Sequence, residues 1–482
     1  MVATLGTQAA PGTIDSILKE FYLGPLQKQL NNEVLCLELF QKMVVDWNGR
    51  RVVVPLHISR NTGVAYAAEG AALPAAGQQG YEDLSISARF MYGRFQVSGP
   101  AMAAAAKGGK NSFIAALEGE MSGLKDDIRD RANIACFAGG RSKGYINEHK
   151  IGANLTTAAA AQNGAGNVNA GENVFEYAGD FTPFLNVVAG EANSATWVRI
   201  HLFRVDNGAE IVPSGAAPAL FVSAIDQANQ TITIANVSSA GGGGQSLNTT
   251  VALAGDGILV ALHATQYVGT VANIGTVAAF ADEPEGIYGN LSDPAWHGAT
   301  VGGGAAGASG GIDRTLAANA ILRCTTVKTC NRAGDHSRID LALSHIQAVF
   351  DEVLLESDME PDCMIINPIA RQRYISLLQG VINSQADTVT KGDGGFKSGN
   401  LGYGGVKFKV SRHCGRSMII GLKMDKWKMV ELQKGEFADL DGAVLARVTG
   451  QDNWEGFYRW YYNQVCQRPN ANFILLGFNI VN

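Results

Sequence analysis

Between two strand-like runs, Arg51 to Ile58 (RVVVPLHI) and Leu84 to Tyr92, the chain carries a connector that cannot build a core of its own. Ser59 to Glu82 is rich in Gly, Ala and Gln and holds almost no large aliphatic residue, so its two sides have little to bury against each other. An isolated two-stranded ribbon is marginal in water. The connector is therefore expected to project from the body and to gain its stability against another subunit. Leu84, Ile86, Ala88, Phe90 and Tyr92 fall on one face of the second strand at period two.

Helical spacing surrounds this ribbon. Upstream, Ile14, Ile17, Leu18, Phe21 and Tyr22, then Leu35, Leu39 and Met43, recur at threes and fours, with a break near Gly24-Pro25. They predict a helical arm over Thr13 to Met43. Downstream, Ser112 follows Gly108-Gly109 as a good N-cap, and Phe113, Leu117, Met121, Leu124, Ile128 and Ala135 share one face. An amphipathic helix is predicted to Phe137, closed by Gly139-Gly140 and on the order of 40 Å long. Asp127 and Arg131, one turn apart, read as solvated charges on its polar face.

The texture then changes. Ile151 to Gly171 is an Ala, Gly, Asn and Thr tract with the composition of a linker. Trp197 to Val205, Ala219 to Ile225, Gln230 to Val237 and Gly257 to Leu262 are short strand-like runs separated by turn signals, which predict a small all-β insertion. A further tract, Thr270 to Ala281, closes it, so that the insertion is expected to be a separable module. After a Gly/Ala tract at Gly302 to Gly311, Ile339, Leu343, Ile346, Val349, Phe350 and Leu354 form a helical face before a strand at Cys363 to Ile366. A helix at Pro368 to Leu378 follows Asn367, and a Gly-rich loop, Gly392 to Gly405, leads into strands at Val406 to Ser411, Met418 to Gly421 and Trp427 to Glu431. Asn472 to Ile480 reads as a buried strand.

Composition excludes several function classes. Of 482 residues, 46% are apolar, enough for real cores, and the net charge of -6 gives no basic stripe for phosphate neutralisation. Seven scattered cysteines without a CxxC pair read as free thiols in a reducing compartment. The start has no basic and apolar leader pattern and no apolar run reaches the ~18 residues of a membrane span, so synthesis in the cytosol without membrane contact is expected. The sequons at Asn229 and Asn290 then carry no glycan meaning. GASGG at Gly307 to Gly311 matches a nucleophile elbow in letters only, because its left flank is Gly302-Gly303-Gly304 and not a strand. No phosphate loop follows a glycine cluster. Cys324, Cys330 and His336 are poorly spaced for zinc, and the histidines form no HExxH. Carboxylates such as Asp126-Asp127 and Glu352 lie on helical polar faces. The aromatic run Trp454 to Tyr462 (WEGFYRWYY) reads as core and interface packing more than as base stacking, since Glu455 and the overall acidity offer no electrostatic funnel. No catalytic, metal or cofactor site is expected.

The order of arm, ribbon, long helix, mixed α/β region and closing strand resembles the Hong Kong 97-type major capsid proteins of tailed bacteriophages. Several stretches look like that family: Ile17 to Asn32 (ILKEFYLGPLQKQLNN), Val52 to Pro74, Tyr92 to Pro100 (YGRFQVSGP), Gly286 to Asp293 (GIYGNLSD), Gly311 to Thr315 (GIDRT) and Asn367-Pro368. Together they cover about residues 13 to 150 and 283 to 482. The resemblance implies an α+β fold with an N-terminal arm (1–50), an E-loop β-ribbon (51–99) and a P-domain spine helix (100–150). A linker and β-rich insertion domain (151–282), a P-domain return segment (283–336), an A-domain (337–467) and a P-domain strand (468–482) would follow. Arg60, Glu69, Leu73, Glu82 and Arg89 would make inter-subunit contacts, and Phe113, Leu117, Met121, Leu124 and Ile128 would line the spine helix.

The implied function is a non-enzymatic virion shell. The protein would assemble with itself into pentamers and hexamers of an icosahedral head around double-stranded DNA held non-specifically, with separate scaffolding, portal and decoration proteins as partners. An encapsulin-like nanocompartment shell shares the fold and differs in genomic neighbours and cargo peptide. A secreted adhesive or carbohydrate-binding β-protein would explain the Gly-rich strands, but the long helices and the lack of a signal peptide count against it. Some members of the family join a loop lysine to an asparagine of a neighbour, whereas here no lysine stands between Lys42 and Lys107. Particles boiled in SDS are expected to release monomer, and a ladder of multimers would refute this.

Overall fold

The computed structural model of the chain describes residues 35–43, 47, 49–100, 110–140, 142–149, 173–185, 187, 197–204, 218–238, 258–267, 283–291, 312, 317–324, 327–330, 339–382, 401–439, 445–447, 450 and 452–479. All of them belong to the unit Glu33–Asn482. In chain order the elements begin with helix α1 (Leu35–Leu39), strands β1 (Gln41–Met43), β2 (Arg51–Ser59), β3 (Gly80–Ser87) and β4 (Arg89–Ser98), and helix α2 (Lys110–Ala138). Six strands follow: β5 (Ser142–His149), β6 (Asn173–Gly179), β7 (Val198–Arg204), β8 (Pro218–Asp226), β9 (Thr231–Ser238) and β10 (Ile258–Tyr267). Then come α3 (Ile287–Asn290), β11 (Val327–Thr329), α4 (Leu343–Ser357), β12 (Cys363–Ile366) and α5 (Pro368–Ile382). The chain closes with β13 (Gly402–Tyr403), β14 (Val406–Val410), β15 (Met418–Leu422), β16 (Trp427–Phe437), β17 (Ala446–Arg447), β18 (Asn453–Cys466) and β19 (Phe473–Leu476). The fold is α+β with strands predominating.

One sheet runs β11-β19-β15-β12-β14-β13 and is buried on both faces. That is why β12, β15 and β19 read as unbroken apolar runs without alternation. Helices α4 and α5 cover one face through Ile346, Val349, Phe350, Val353 and Tyr374. Leu354, expected on this face, is 41% exposed instead, because Ile346, Phe350, Val353 and Ser357 hold the buried line and residue 354 lies one step round the helix. Asn367 caps α5 as expected, its side-chain Oδ1 accepting from Ile369 N at 3.0 Å while Nδ2 donates to Cys414 O at 2.6 Å. The second sheet runs β1-β16-β18-β17, with β4 pairing β18. Met43 is not on a helix as the spacing suggested. Phe40 stacks on Trp427 at 5.1 Å, and the chain leaves α1 there to pair β1 in parallel with β16. The part of the predicted arm before Leu35 lies outside the described residues.

Helix α2, with 29 residues, is about 43 Å long at 1.5 Å per residue and lies on β4 and β18. Ile128, Ala132, Ala135 and Cys136 form its buried stripe. Leu124 and Ile128 close over Gly93, where an added Cβ would stand 2.9 and 2.5 Å from their terminal methyls. The helix stops at the glycine pair read from the sequence. Gly140 has φ +72°, a left-handed conformation suited to glycine, and Gly139 sits where a Cβ would lie 2.1 Å from the Pro284 carbonyl oxygen.

Strands β5 to β10 close into a barrel in the order β10-β5-β6-β9-β8-β7, antiparallel throughout. The four strand runs predicted in this region coincide with β7 to β10. Strands β5 and β6 were not anticipated, and β5 begins before residue 151, where composition had placed the boundary. The barrel has its own interior, which includes Phe175, Tyr177, Val198, Ile200, Val222 and Ile232. Its wall, however, is shared. Tyr145, Ala178, Phe203 and Leu259 belong to the same buried cluster as Phe137, Tyr288 and Leu291, and Gly415 abuts Ala178 so closely that a Cβ would be 2.2 Å from the alanine Cβ. Arg416 also donates to Ala228 O at 2.7 Å across this contact. The barrel wall and the body of the molecule thus share one buried cluster.

A buried ionic cluster joins barrel and helix. Arg131 Nη1 meets Asp180 Oδ2 at 2.9 Å, Arg131 also pairs with Glu283, and Lys143 Nζ meets Glu283 Oε2 at 2.7 Å. Lys143 Nζ donates further to Ala138 O at 3.0 Å, among the last carbonyls of α2. Burial would raise the Asp180 carboxyl, but Arg131 and Lys143 beside it, with two hydrogen bonds from Thr182, outweigh that and hold it below the usual range. Arg131, read from the sequence as a solvated charge, is instead the centre of this cluster. The glycine geometry gives a paired expectation. Gly139→Ala should cost about 1–3 kcal/mol by overpacking against backbone. Gly123→Ala, mid-helix with nothing within 4 Å, should gain up to about 1 kcal/mol of helix propensity. Urea denaturation of the two variants checks the opposite signs.

Candidate self-association surface

The ribbon forms as a two-stranded antiparallel sheet, with β2 paired to β3 from Arg51↔Ser87 to Ser59↔Gly80. Its base does have a seat in its own chain, which the sequence reading did not foresee. Val52, Val54 and Leu56 alternate inward along β2, and with Leu84 and Ile86 they pack on Val430, Val465, Ile312 and Leu322. Asn463 Nδ2 pins the end of β3 by donating to Ser87 O at 2.6 Å. Farther out the connector narrows at Gly63 and Gly77, where a Cβ on either glycine would come within 2.7 Å of the other's amide nitrogen. Beyond this neck the apolar side chains have nothing to bury against. Val64 and Tyr66 stand open, Tyr66 at 108% relative exposure, and Leu73 is 89% exposed.

The residues expected to make contacts divide among three settings. Arg60, Glu69 and Leu73 are exposed on the connector. Glu82 is half-buried in β3 opposite Leu56, and Arg89 is half-buried at the start of β4 opposite Tyr462, in the body of the molecule. Of the spine positions, Ile128 is buried, and Met121 and Leu124 are half-buried on the same side of α2. Phe113 and Leu117 lie in α2 by backbone, and their side chains are outside the described set.

A second open surface was missed. Phe90 and Tyr92, read from the sequence as sharing one face with Leu84 and Ile86, are each 59% exposed, whereas Leu84 and Ile86 are buried. The ribbon base covers Val430 and Val465 but stops short of Tyr461, leaving Phe90 edge-on to Tyr461 at 5.0 Å and Tyr92 Oη donating to Tyr461 Oη at 3.1 Å. That hydrogen bond holds the Tyr92 phenol above its ordinary value. Arg94 with Glu455, and Arg459 with Glu436 at 2.9 Å, continue the same face in polar form. Only the pairing of β4 with β18, between segments more than 350 residues apart, creates this face, and no local signal reports it.

Among the described residues, no group of His, Cys, Asp and Glu is placed to hold a metal ion. His336, weighed from the sequence as a zinc ligand with Cys324 and Cys330, lies outside the described residues, as do GASGG and most of the Gly392 to Gly405 loop. The seven cysteines are buried and form no disulfide, and burial pushes the Cys330 thiol up to about 12 and that of Cys363, with Asp362 adding, up to about 11. A cleft of about 340 Å³ lined by Glu38, Arg129, Glu431, Lys434, Tyr458 and Trp460 balances its charges and holds no cysteine, serine or histidine. No described helix is long and apolar enough to cross a membrane.

No known sequence family and no curated protein matches the chain. A solved structure does. A chain of the cyanophage A-1(L) capsid asymmetric unit is similar over 98% of this chain and 99% of that chain, with 11% identity and a TM-score of 0.53. The two chains share a fold. A chain from the capsid of a native GTA particle (8% identity, 99% and 100% covered, TM-score 0.43) and one from Gordonia phage Cozz (9% identity, 99% and 98% covered, TM-score 0.43) also align. The resemblance to tailed-phage capsid proteins read from the sequence and the capsid-type fold of the structure thus agree.

Proposed function

We propose that this chain is the major capsid protein of a tailed bacteriophage and acts as a shell subunit, not as an enzyme. The observation that carries the reading is the ribbon, seated at its base and bearing Val64, Tyr66 and Leu73 uncovered at its tip, on a capsid-type fold. Large apolar side chains displayed together on an extended ribbon mark an interaction site. A projecting ribbon that docks on a different surface of the next copy makes a heterologous contact, which closes into a ring where the rotation between copies allows it. In this reading the rings are the pentamers and hexamers of an icosahedral head.

In this reading residues 51–99 are the E-loop, 100–150 contain the spine helix, 283–336 return to the P-domain, 337–467 form the A-domain and 468–482 add the closing strand. The arm would occupy 1–50, and the linker and barrel region, 151–282, would be an insertion at the outer surface. Arg60, Glu69 and Leu73 reach the neighbour, while Glu82 and Arg89 act nearer the ribbon's root. Enclosed double-stranded DNA would meet an acidic protein only weakly and without sequence preference. Scaffolding, portal and decoration proteins would be separate partners in the virion, with the subunit made in the host cytoplasm.

The test is deletion of Arg60 to Gly80 with a short turn in its place. The variant is expected to keep its circular dichroism and melting transition, because the base contacts of β2 and β3 remain, and to sediment as subunits or small rings. Normal closed shells from this variant would refute the role given to the ribbon.

A further inference from the structure

We infer that the cluster of Arg131, Lys143, Asp180 and Glu283 is an acid-releasable pin between helix α2 and the barrel. Its four charges come from four places in the chain: Arg131 from α2, Lys143 from β5, Asp180 from the residue after β6, and Glu283 from the segment that returns from the barrel toward α3. Lys143 is fully buried, and its Nζ lies 4.0 Å from Asp180 Oδ2 and 2.7 Å from Glu283 Oε2. At neutral pH two cations face two anions, so each buried charge is compensated. The other ionisable groups facing the cluster are phenols and one further acid. Tyr177 of β6 donates to Asp180 O at 3.2 Å, Tyr462 of β18 lies within electrostatic reach of Glu283 and Arg131, and the Glu285 side chain flanks Gly140 and Gly289. Burial holds Tyr177 and Tyr462 well above ordinary phenol values, so neither supplies a charge in place of a lost carboxylate.

Protonation of Asp180 removes one of the two carboxylates that face Arg131 and Lys143 in this cluster. Neither side of the junction depends on the cluster for its own core. The barrel is filled by Phe175, Tyr177, Val222 and their neighbours, and α2 is seated on β4 and β18 by Ile128 and Leu124. The penalty therefore falls on the shared wall, where Tyr145, Phe203 and Leu259 meet Phe137 and Tyr288. The direction follows from Asp180, whose folded value lies below that of the unfolded chain. Its contribution is complete above the unfolded value of about 3.9 and is lost as pH falls through the folded one. Release thus belongs to acid below the usual carboxylate range and is absent at neutral pH. The inference rests on the packing of this chain and not on the capsid reading.

Hydrogen exchange of the full-length protein, corrected for intrinsic rates and followed from pH 7 to pH 2, tests it. Peptides at the junction (β5, the last turn of α2 and α3) are expected to lose protection first, by about tenfold for each unit separating the folded and unfolded carboxylate values. Peptides of β8 and β9 inside the barrel should stay protected over the same range. Loss of junction and interior protection in one step, or a junction unchanged at pH 2, would overturn the proposal. The Asp180→Asn and Glu283→Gln double variant should show an open junction already at pH 7 and no further change in acid, and a wild-type profile from it would be equally fatal. Should that variant not fold, the wild-type titration decides alone.

Discussion

Strand β18 is where the parts of this molecule are fastened together. One face, with Tyr458, Trp460 and Tyr462 buried, belongs to the main core beneath α2, and Val465 on the other face carries the base of the ribbon. Its edges take β4 on one side and β16 and β17 on the other. Gln464 Nε2 donates to Ala135 O at 3.1 Å and to Glu285 O at 2.9 Å, so the end of the long helix and the return from the barrel are tied to the same side chain. Asn463 pins Ser87 from the same strand. Helix, ribbon and return segment are thus positioned by one element, and a ribbon held this rigidly at its root can present its tip in a fixed direction.

The barrel adds a second attachment. It folds around its own apolar interior, yet its outer wall is counted among the residues that bury Phe137, Tyr288 and Leu291. Tyr145 and Tyr288 meet edge to face at 5.2 Å, and the ionic cluster closes the same seam. Ring packing of this kind favours one relative orientation.

Legibility in the sequence followed locality. Cys363 to Ile366 and the α2 helix with its Gly139-Gly140 stop were read from spacing and turn chemistry, because a strand buried on both faces or an amphipathic helix writes its pattern into consecutive residues. Strands β5 and β6 were not, since SKGYINEH and NVFEYAG interleave small and charged residues whose burial depends on distant partners. Arg131 was placed in solvent because its countercharges, Asp180 and Glu283, stand 49 and 152 residues away. Phe90 and Tyr92 were grouped with Leu84 and Ile86 for a similar reason: alternation tells which side chains share a face, and only tertiary structure tells where the covering element ends. Arg60, Glu69 and Leu73, proposed to reach a neighbour, were legible as exposed because the connector around them lacks anything to bury.

The claim on which the account turns is that this chain closes into shells through its ribbon. Electron microscopy of the purified full-length protein at assembly concentrations tests it most directly. Closed particles built from five- and six-membered rings are the expected result. A field of isolated subunits, or filaments without closure, under conditions where the protein is folded would contradict it.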